Sequence, residues 1–321
     1  MWGWALRDAR PRMGRPYYVI DAFASERYTG NPAAVVLDAE GLDDTAMRAI
    51  AAEFNLSETT FVLPPQNDRG TGGGPHVRFR WFTPTVEVDM CGHATVAGIH
   101  ALVESGRVRH DDPSASTHVR IDTKSGTLTG FVESIPGQDS ARMIWLDLPE
   151  PVLTDHRLIA AELSTVLRLP VDAFETKLPT TETQDHDVLV FVRSFGSLND
   201  ARPDFPRLAE LLNCERLRGL CLATVNTITP SVHVQSRFFA PNFGIDEDPV
   251  TGSVHGPLAA YLVWKRLVPI HDGLSGLTCV QGKPGGRTGL LHALVQVQGE
   301  DRFAVRIGGQ AVTTMRGTLV D

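Results

Sequence analysis

The stretch Arg80-Trp81-Phe82-Thr83-Pro84 returns later in the chain as Arg237-Phe238-Phe239-Ala240-Pro241. Held in register without gaps, the two copies continue until Asp89 lies on Asp246 and Cys91 on Asp248. Each copy then reaches a glycine and a nearly all-apolar segment. In the first these are Gly92 and Ala94 to Val103; in the second, after a short insertion, Gly252 and Val254 to Trp264, interrupted by Gly256-Pro257. A helix apolar on every side must be buried on every side. The shared order of strand, proline turn, acidic residue, glycine and buried helix reads as a duplicated domain. The expected architecture is α+β: two similar halves, each a curved, mostly antiparallel sheet or barrel wrapped round one central helix, with both helix N-termini at one cleft.

Working outward, Met1 to Pro16 reads as a flexible N-terminal extension. Residues 17–118 then form the first half, residues 119–307 the second, and 308–321 a segment that can return to the first. Tyr17 to Ile20 and Ala33 to Leu37 flank the turn Gly30-Asn31-Pro32 and suggest a hairpin. Asp43 precedes Met47, Ile50, Ala51 and Phe54 at helical spacing, as an N-cap should, and this helix should stop near Asn55. Glu58 follows, between that helix end and an extended run from Thr60, well placed to point into a cleft. Asn67 to Pro75, polar and glycine-rich, reads as a hairpin loop, and Arg157 to Leu167 as an amphipathic helix. Gly282-Lys283-Pro284-Gly285-Gly286-Arg287-Thr288 lacks the ending of a phosphate loop and reads as a tight turn.

Composition narrows the function classes. The chain has 321 residues, 42% hydrophobic and 21% charged, an ordinary globular mixture. Its 30 basic and 38 acidic residues leave a formal charge of −8, against a nucleic-acid partner. No stretch approaches the ~20 apolar residues of a membrane span. Cys91, Cys214, Cys221 and Cys279 form no CxxC pair, so reduced thiols in a cytoplasmic setting are expected and a zinc site is not.

Gly30-Asn31-Pro32-Ala33-Ala34-Val35, Asn55-Leu56-Ser57-Glu58-Thr59, Arg80-Trp81-Phe82-Thr83-Pro84, Cys91-Gly92-His93-Ala94-Thr95 and Glu247-Asp248-Pro249-Val250-Thr251-Gly252-Ser253 together resemble the PhzF-like isomerases of phenazine biosynthesis. The similarity runs from about Tyr17 to Gly308-Gly309-Gln310-Ala311. It implies a diaminopimelate-epimerase-like fold and a cofactor-independent isomerase, without metal, acting as a homodimer on a small carboxylate. Carried over motif by motif, it implies Glu58 as the acid/base carboxylate, His93, Asp248 and Ser253 as its companions, and the backbone at Gly92 and Gly252 as the seat of a substrate carboxylate. Thr60, where a small apolar residue is common, and Val254, where alanine is usual, depart from the pattern without touching this chemistry.

Each residue also has a blander reading. Glu58 could be a helix-terminal glutamate, His93 a satisfied core histidine, and Asp248 a helix cap. For His100 the core reading is the better one, and for His255 the two are even. Cys91 reads as a packed thiol, because the ungapped repeat places Asp248, not a second thiol, opposite it. The alternatives to an isomerase are an amino-acid epimerase of the same fold and a catalytically silent binding or regulatory protein.

Overall fold

A computed structural model describes residues 14–66, 74–299 and 301–320. Most of the extension expected over 1–16, and the glycine-rich stretch 67–73, lie outside the described residues. Arg15 and Pro16, assigned to the extension, instead open the first strand. The fold is mixed α/β. The strands preceding the middle of the chain are β1 (Arg15–Ala22), β2 (Asn31–Val36), β3 (Thr59–Leu63), β4 (His76–Phe82), β5 (Glu87–Val88), β6 (Thr117–Thr123), β7 (Gly126–Ile135), β8 (Gln138–Leu148) and β9 (Leu153–Asp155). Those that follow are β10 (Thr181–Thr183), β11 (Asp187–Phe191), β12 (Gly219–Thr224), β13 (Val234–Ala240), β14 (Ile245–Asp248), β15 (Leu274–Gly282), β16 (Thr288–Val297), β17 (Phe303–Gly309) and β18 (Ala311–Leu319). The helices are α1 (Asp44–Phe54), α2 (Gly92–Glu104), α3 (Ala160–Leu167), α4 (Phe195–Asp200), α5 (Phe205–Glu215) and α6 (Gly252–Trp264).

Pairing runs β18-β1-β2-β3-β4-β6-β7-β8-β17-β16-β15-β13-β12-β11-β10-β9, with β5 on β4 and β14 on β13. Read from either end, the order and sense of the pairings are the same. The parallel pairs are β2–β3 and β4–β6 on one side and β11–β12 and β13–β15 on the other. A parallel pair needs a crossover, and helices supply all four: α1, α2, α4 with α5, and α6. The boundary expected at 118/119 falls inside β6, which is hydrogen-bonded to both β4 and β7. Among the described residues no helix is long and apolar enough to cross a membrane.

The local chemistry explains the elements. Asp43 caps α1 by accepting from the Ala46 N–H at 2.8 Å, and Asn55 ends it in the left-handed region at φ 49°. Helix α3 starts at Ala160, three residues later than its periodicity suggests, where the Glu162 carboxylate accepts from the Ile159 N–H at 3.1 Å. Helix α6 is not interrupted at Gly256-Pro257 as expected: it runs through both. Gly256 lets the sheet come close, since a Cβ there would lie 2.4 Å from Leu148 Cδ1, and burial on all sides outweighs the hydrogen bond that Pro257 cannot donate.

The two similar segments share side-chain interactions as well as sequence. Arg80 grips Glu87 through Nε and Nη2, each at 2.7 Å, and Arg237 grips Glu247 at 2.7 and 2.8 Å. Each guanidinium lies 5.0 Å from a phenylalanine ring, Phe82 or Phe239. This matching corrects the ungapped register. Trp81 pairs with Val88 whereas Phe238 pairs with Asp248, because extra residues around the turn Pro241–Phe243 precede β14. Asp248 therefore matches Val88, and Cys91 matches Thr251, the residue before α6.

Helix α2 is buried almost throughout from Gly92 to Leu102. A Cβ on Gly98 would lie 2.6 Å from Phe79 Cε2, and one on Gly130 would lie 2.3 Å from Ile99 Cδ1. Packing this close leaves little room for relaxation, so Ile99→Ala is expected to cost about 2–5 kcal/mol in urea unfolding. A loss near zero would mean that the sheet does not close on α2.

Candidate active site

Helices α2 and α6 meet end to end. A Cβ on Gly92 would lie 3.8 Å from Gly252 Cα and 4.0 Å from the Ser253 nitrogen. Neither residue at the cap position, Cys91 or Thr251, bonds its side chain to the helix it precedes. First-turn N–H groups have no partner within their own helix, so two sets of donors and two positive dipole ends converge on one spot, which favours an anion.

Glu58 reaches this spot because α1 stops at Asn55 and the chain turns into β3, with the Glu58 carbonyl accepting from the Ala34 N–H at 3.3 Å. Thr60, one of the two departures from the pattern, donates to the Ala94 carbonyl at 2.9 Å and ties β3 to the first turn of α2. Glu58 Oε2 lies 3.2 Å from His93 Nε2, both side chains largely buried. Among the described residues neither atom makes a hydrogen bond; they are close without being aligned. On its other face the His93 ring meets Cys91 Sγ, 3.4 Å from Nδ1. Burial pushes the Glu58 carboxyl above its ordinary value; the Asp248 charge adds to this, while His93 and the Cys91 thiol oppose it. Burial likewise raises the Cys91 thiol well above its ordinary value, and the Glu58 carboxylate adds to it.

Asp248 is buried on the α6 side. Its carboxylate accepts from Asn31 Nδ2 at 2.9 Å and from the Thr251 hydroxyl, and its main-chain oxygen accepts from Gln281 Nε2 at 2.7 Å. Asn31 also donates to the Val250 carbonyl at 2.9 Å, so a residue of β2 clasps the loop before α6. Ser253 Oγ accepts from Arg218 Nη2 at 3.0 Å. The structure thus brings Glu58, His93, Gly92, Gly252 and Ser253 around the helix ends, with Asp248 close enough to act on Glu58 by charge. No bond joins Asp248 to His93, whose neighbours are Cys91 and Glu58.

Cys91 is buried as the sequence suggested, yet it stands in the site. Its Sγ, a Glu58 oxygen and a His93 nitrogen all lie within 4.8 Å of one another, a donor set that could hold a divalent cation. A thiol held protonated by burial is a poor ligand until it loses that proton. Asn31, Gln281 and Arg218 had no part in the sequence reading. Asn31 lay inside a quoted motif and was the one that could have been found. His255 is a satisfied core histidine, bonded to the Thr251 carbonyl at 2.7 Å and Ser236 Oγ at 3.1 Å, and burial lowers it to about 4. His100, read as a core histidine, is partly exposed and lies 3.3 Å from Glu104. A separate cavity of about 510 Å³ beside α3, walled by Leu158, Leu163, Phe174 and Phe191 among others, shares no residue with the helix ends.

A buried carboxylate against an imidazole, beside an anion seat, is equipment for moving protons on a small acid. The sequence pattern of phenazine biosynthesis-like proteins matches residues 20–317, and the chain belongs to that family, a family of isomerases. An uncharacterised isomerase of Pseudomonas aeruginosa is 38% identical over 94% of this chain and 97% of its own length. The trans-2,3-dihydro-3-hydroxyanthranilate isomerase of the same organism is 32% identical over 94% and 98%. Among solved structures, a PhzF-family phenazine biosynthesis protein of Bacillus anthracis superposes with a TM-score of 0.82 at 27% identity, covering 96% of this chain and 99% of that one. A hydroxyproline epimerase of Agrobacterium vitis, at TM-score 0.60 and 13% identity, shares the fold alone.

Proposed function

We propose that the protein is a cofactor-independent isomerase that moves a proton within a small cyclic or unsaturated carboxylate, with Glu58 as both base and acid. The observation that carries this reading is the pair of unbonded, buried atoms, Glu58 Oε2 and His93 Nε2, held beside two facing helix ends. A relative acts on a dihydro-hydroxyanthranilate, a compound of the proposed class. The substrate carboxylate sits on the backbone at Gly92 and Gly252, with Ser253 beside it. Glu58 breaks a C–H bond, forming its own O–H; the electron pair delocalises through the unsaturated system, and the same O–H returns its proton at another carbon. Asp248, its carboxylate oxygens already occupied by Asn31 and Thr251, shapes the site and does not act as a second base.

The proposal includes a duplicated fold, with β1–β8 and β18 in one half and β9–β17 in the other. The palindromic pairing and the matched Arg–Glu pairs support it. In that alignment Thr59 opposite Phe82 matches Leu220 opposite Phe239, so Glu58 matches Gly219. A Cβ on Gly219 would lie 2.3 Å from Phe238 Cζ, and no second base stands there. This favours a one-base isomerase over a two-sided epimerase. On the family likeness we also assign a homodimer and a cytoplasmic location; a monomer mass in light scattering at micromolar concentration would contradict the dimer.

A screen of small carboxylates tests the reaction class. Isomerisation changes absorbance, epimerisation changes optical rotation, and a silent binding protein changes neither. Because Glu58 must start ionised and burial raises its pKa, kcat/KM should fall on acidification through a point above the ordinary carboxylate range. An acid limb within that range would contradict the assignment of Glu58.

A further inference from the structure

Ser253 is held by one member of an ion pair whose carboxylate is wholly buried and whose guanidinium is partly exposed. Asp187, the first residue of β11, is wholly buried, and a buried carboxylate is costly unless paired. Arg218, immediately before the neighbouring strand β12, supplies the pairing: its Nε donates to Asp187 Oδ1 at 2.8 Å and its Nη2 to Oδ2. A planar guanidinium gripped along one edge has few orientations left. The same Nη2 reaches Ser253 Oγ at 3.0 Å, and the guanidinium lies 6.0 Å from the Phe238 ring.

We propose that Arg218, clamped by Asp187, is a positioning residue that turns Ser253 into a committed hydrogen-bond donor toward the carboxylate of a small monoanionic ligand. A serine hydroxyl carries one donor and accepts through its lone pairs. With Arg218 donating to the oxygen, the O–H is left to donate, and among the described residues nothing is bonded to it. Ser253 is the second residue of α6, so that proton joins the backbone donors at the helix ends. Arg218 also cancels the charge of Asp187, which would otherwise join Glu58 and Asp248 in repelling an acid. Arg218 and Ser253 therefore act as one unit, selecting carboxylates over neutral analogues.

This inference rests on the carboxylate-isomerase reading but is tested by binding alone. The probes are anthranilate, the stable aromatic parent of the relative's substrate, and its neutral amide, anthranilamide, titrated calorimetrically into the full-length protein. Wild type should prefer anthranilate. Arg218→Met and Ser253→Ala should each weaken anthranilate binding by about tenfold, the worth of one charge-assisted hydrogen bond, and leave anthranilamide unchanged. The double variant should be no worse than either single one, because the two residues share one function. Arg218→Lys, which keeps the charge and loses the fork, should recover only part of the affinity and covers the case in which Arg218→Met does not fold. The inference is overturned by additive losses in the double variant, by equal losses for both probes, or by a wild type without preference for anthranilate. Anthranilate selection that follows this pattern in a protein that isomerises none of the screened carboxylates would instead overturn the proposed reaction and leave the positioning role standing.

Discussion

Glu58→Gln is expected to lower turnover by about 10²–10⁴-fold, the usual loss when a general acid/base is removed, with little change in substrate affinity. Glutamine keeps the size of the side chain but cannot take a proton from carbon. Binding should survive because the carboxylate of the substrate rests on the helix ends and Ser253, which the substitution leaves unchanged. Asp248→Asn should cost less, since Asp248 takes no proton from the substrate and the substitution loses only one of the two acceptors that serve Asn31 and Thr251. Steady-state kinetics on any substrate found in the carboxylate screen checks both. Near-normal turnover in Glu58→Gln, with abolition in Asp248→Asn or Cys91→Ser, would take the base away from Glu58 and favour the two-sided epimerase.

A large loss of stability is also expected for Arg237→Ala. This side chain is 2% exposed; besides Glu247 it bonds the Leu198 carbonyl at 3.1 Å and the Ala201 carbonyl at 2.8 Å, over the Phe239 ring. Truncation strands the Glu247 carboxylate and takes a donor from each of two carbonyls, of which Ala201 keeps Arg202 Nη1 at 3.0 Å. Breaking a buried pair costs about 3–5 kcal/mol, and the partial exposure of Glu247 places this one toward the lower end, about 3 kcal/mol. Its counterpart Arg80→Ala should cost less, because Glu87 keeps Lys124 as a partner. Urea unfolding of the two variants gives the comparison. Equal costs would mean that the carbonyl bonds of Arg237 contribute nothing. Activity should fall as well in Arg237→Ala, since Glu247 anchors the strand that ends at Asp248.

What could be read from the sequence was what short-range chemistry writes there. Asp43 announces a helix start by its side chain, Asn55 its end, and the apolar runs after Gly92 and Gly252 announce burial because no face of them is polar. The family motifs likewise brought Glu58, His93 and Ser253 forward in advance of any coordinates. Asp248 was placed three positions wrongly in the repeat, on Cys91 and not on Val88, because three extra residues beside Pro241–Phe243 are invisible to an ungapped comparison of Arg80 with Arg237. Pairings such as β8 with β17 and β1 with β18 join residues far apart in the chain and leave no local mark. Arg218 and Asp187 were missed for the same reason. Each looks like an ordinary charged residue beside a strand, and only the parallel register of β11 and β12 brings them together beneath Ser253.

The most direct measurement is the fate of protons in heavy water. Wild type and Glu58→Gln would be incubated in D₂O with trans-2,3-dihydro-3-hydroxyanthranilate and a set of small unsaturated carboxylates, and deuterium located by NMR. Wild type is expected to shift a double bond in at least one of them, with any deuterium from solvent appearing at the carbon that gains the proton, and Glu58→Gln to do neither at a comparable rate. Deuterium at an inverted stereocentre without a double-bond shift, a double-bond shift at the wild-type rate in Glu58→Gln, or no double-bond shift with any of these acids would contradict a one-base isomerase.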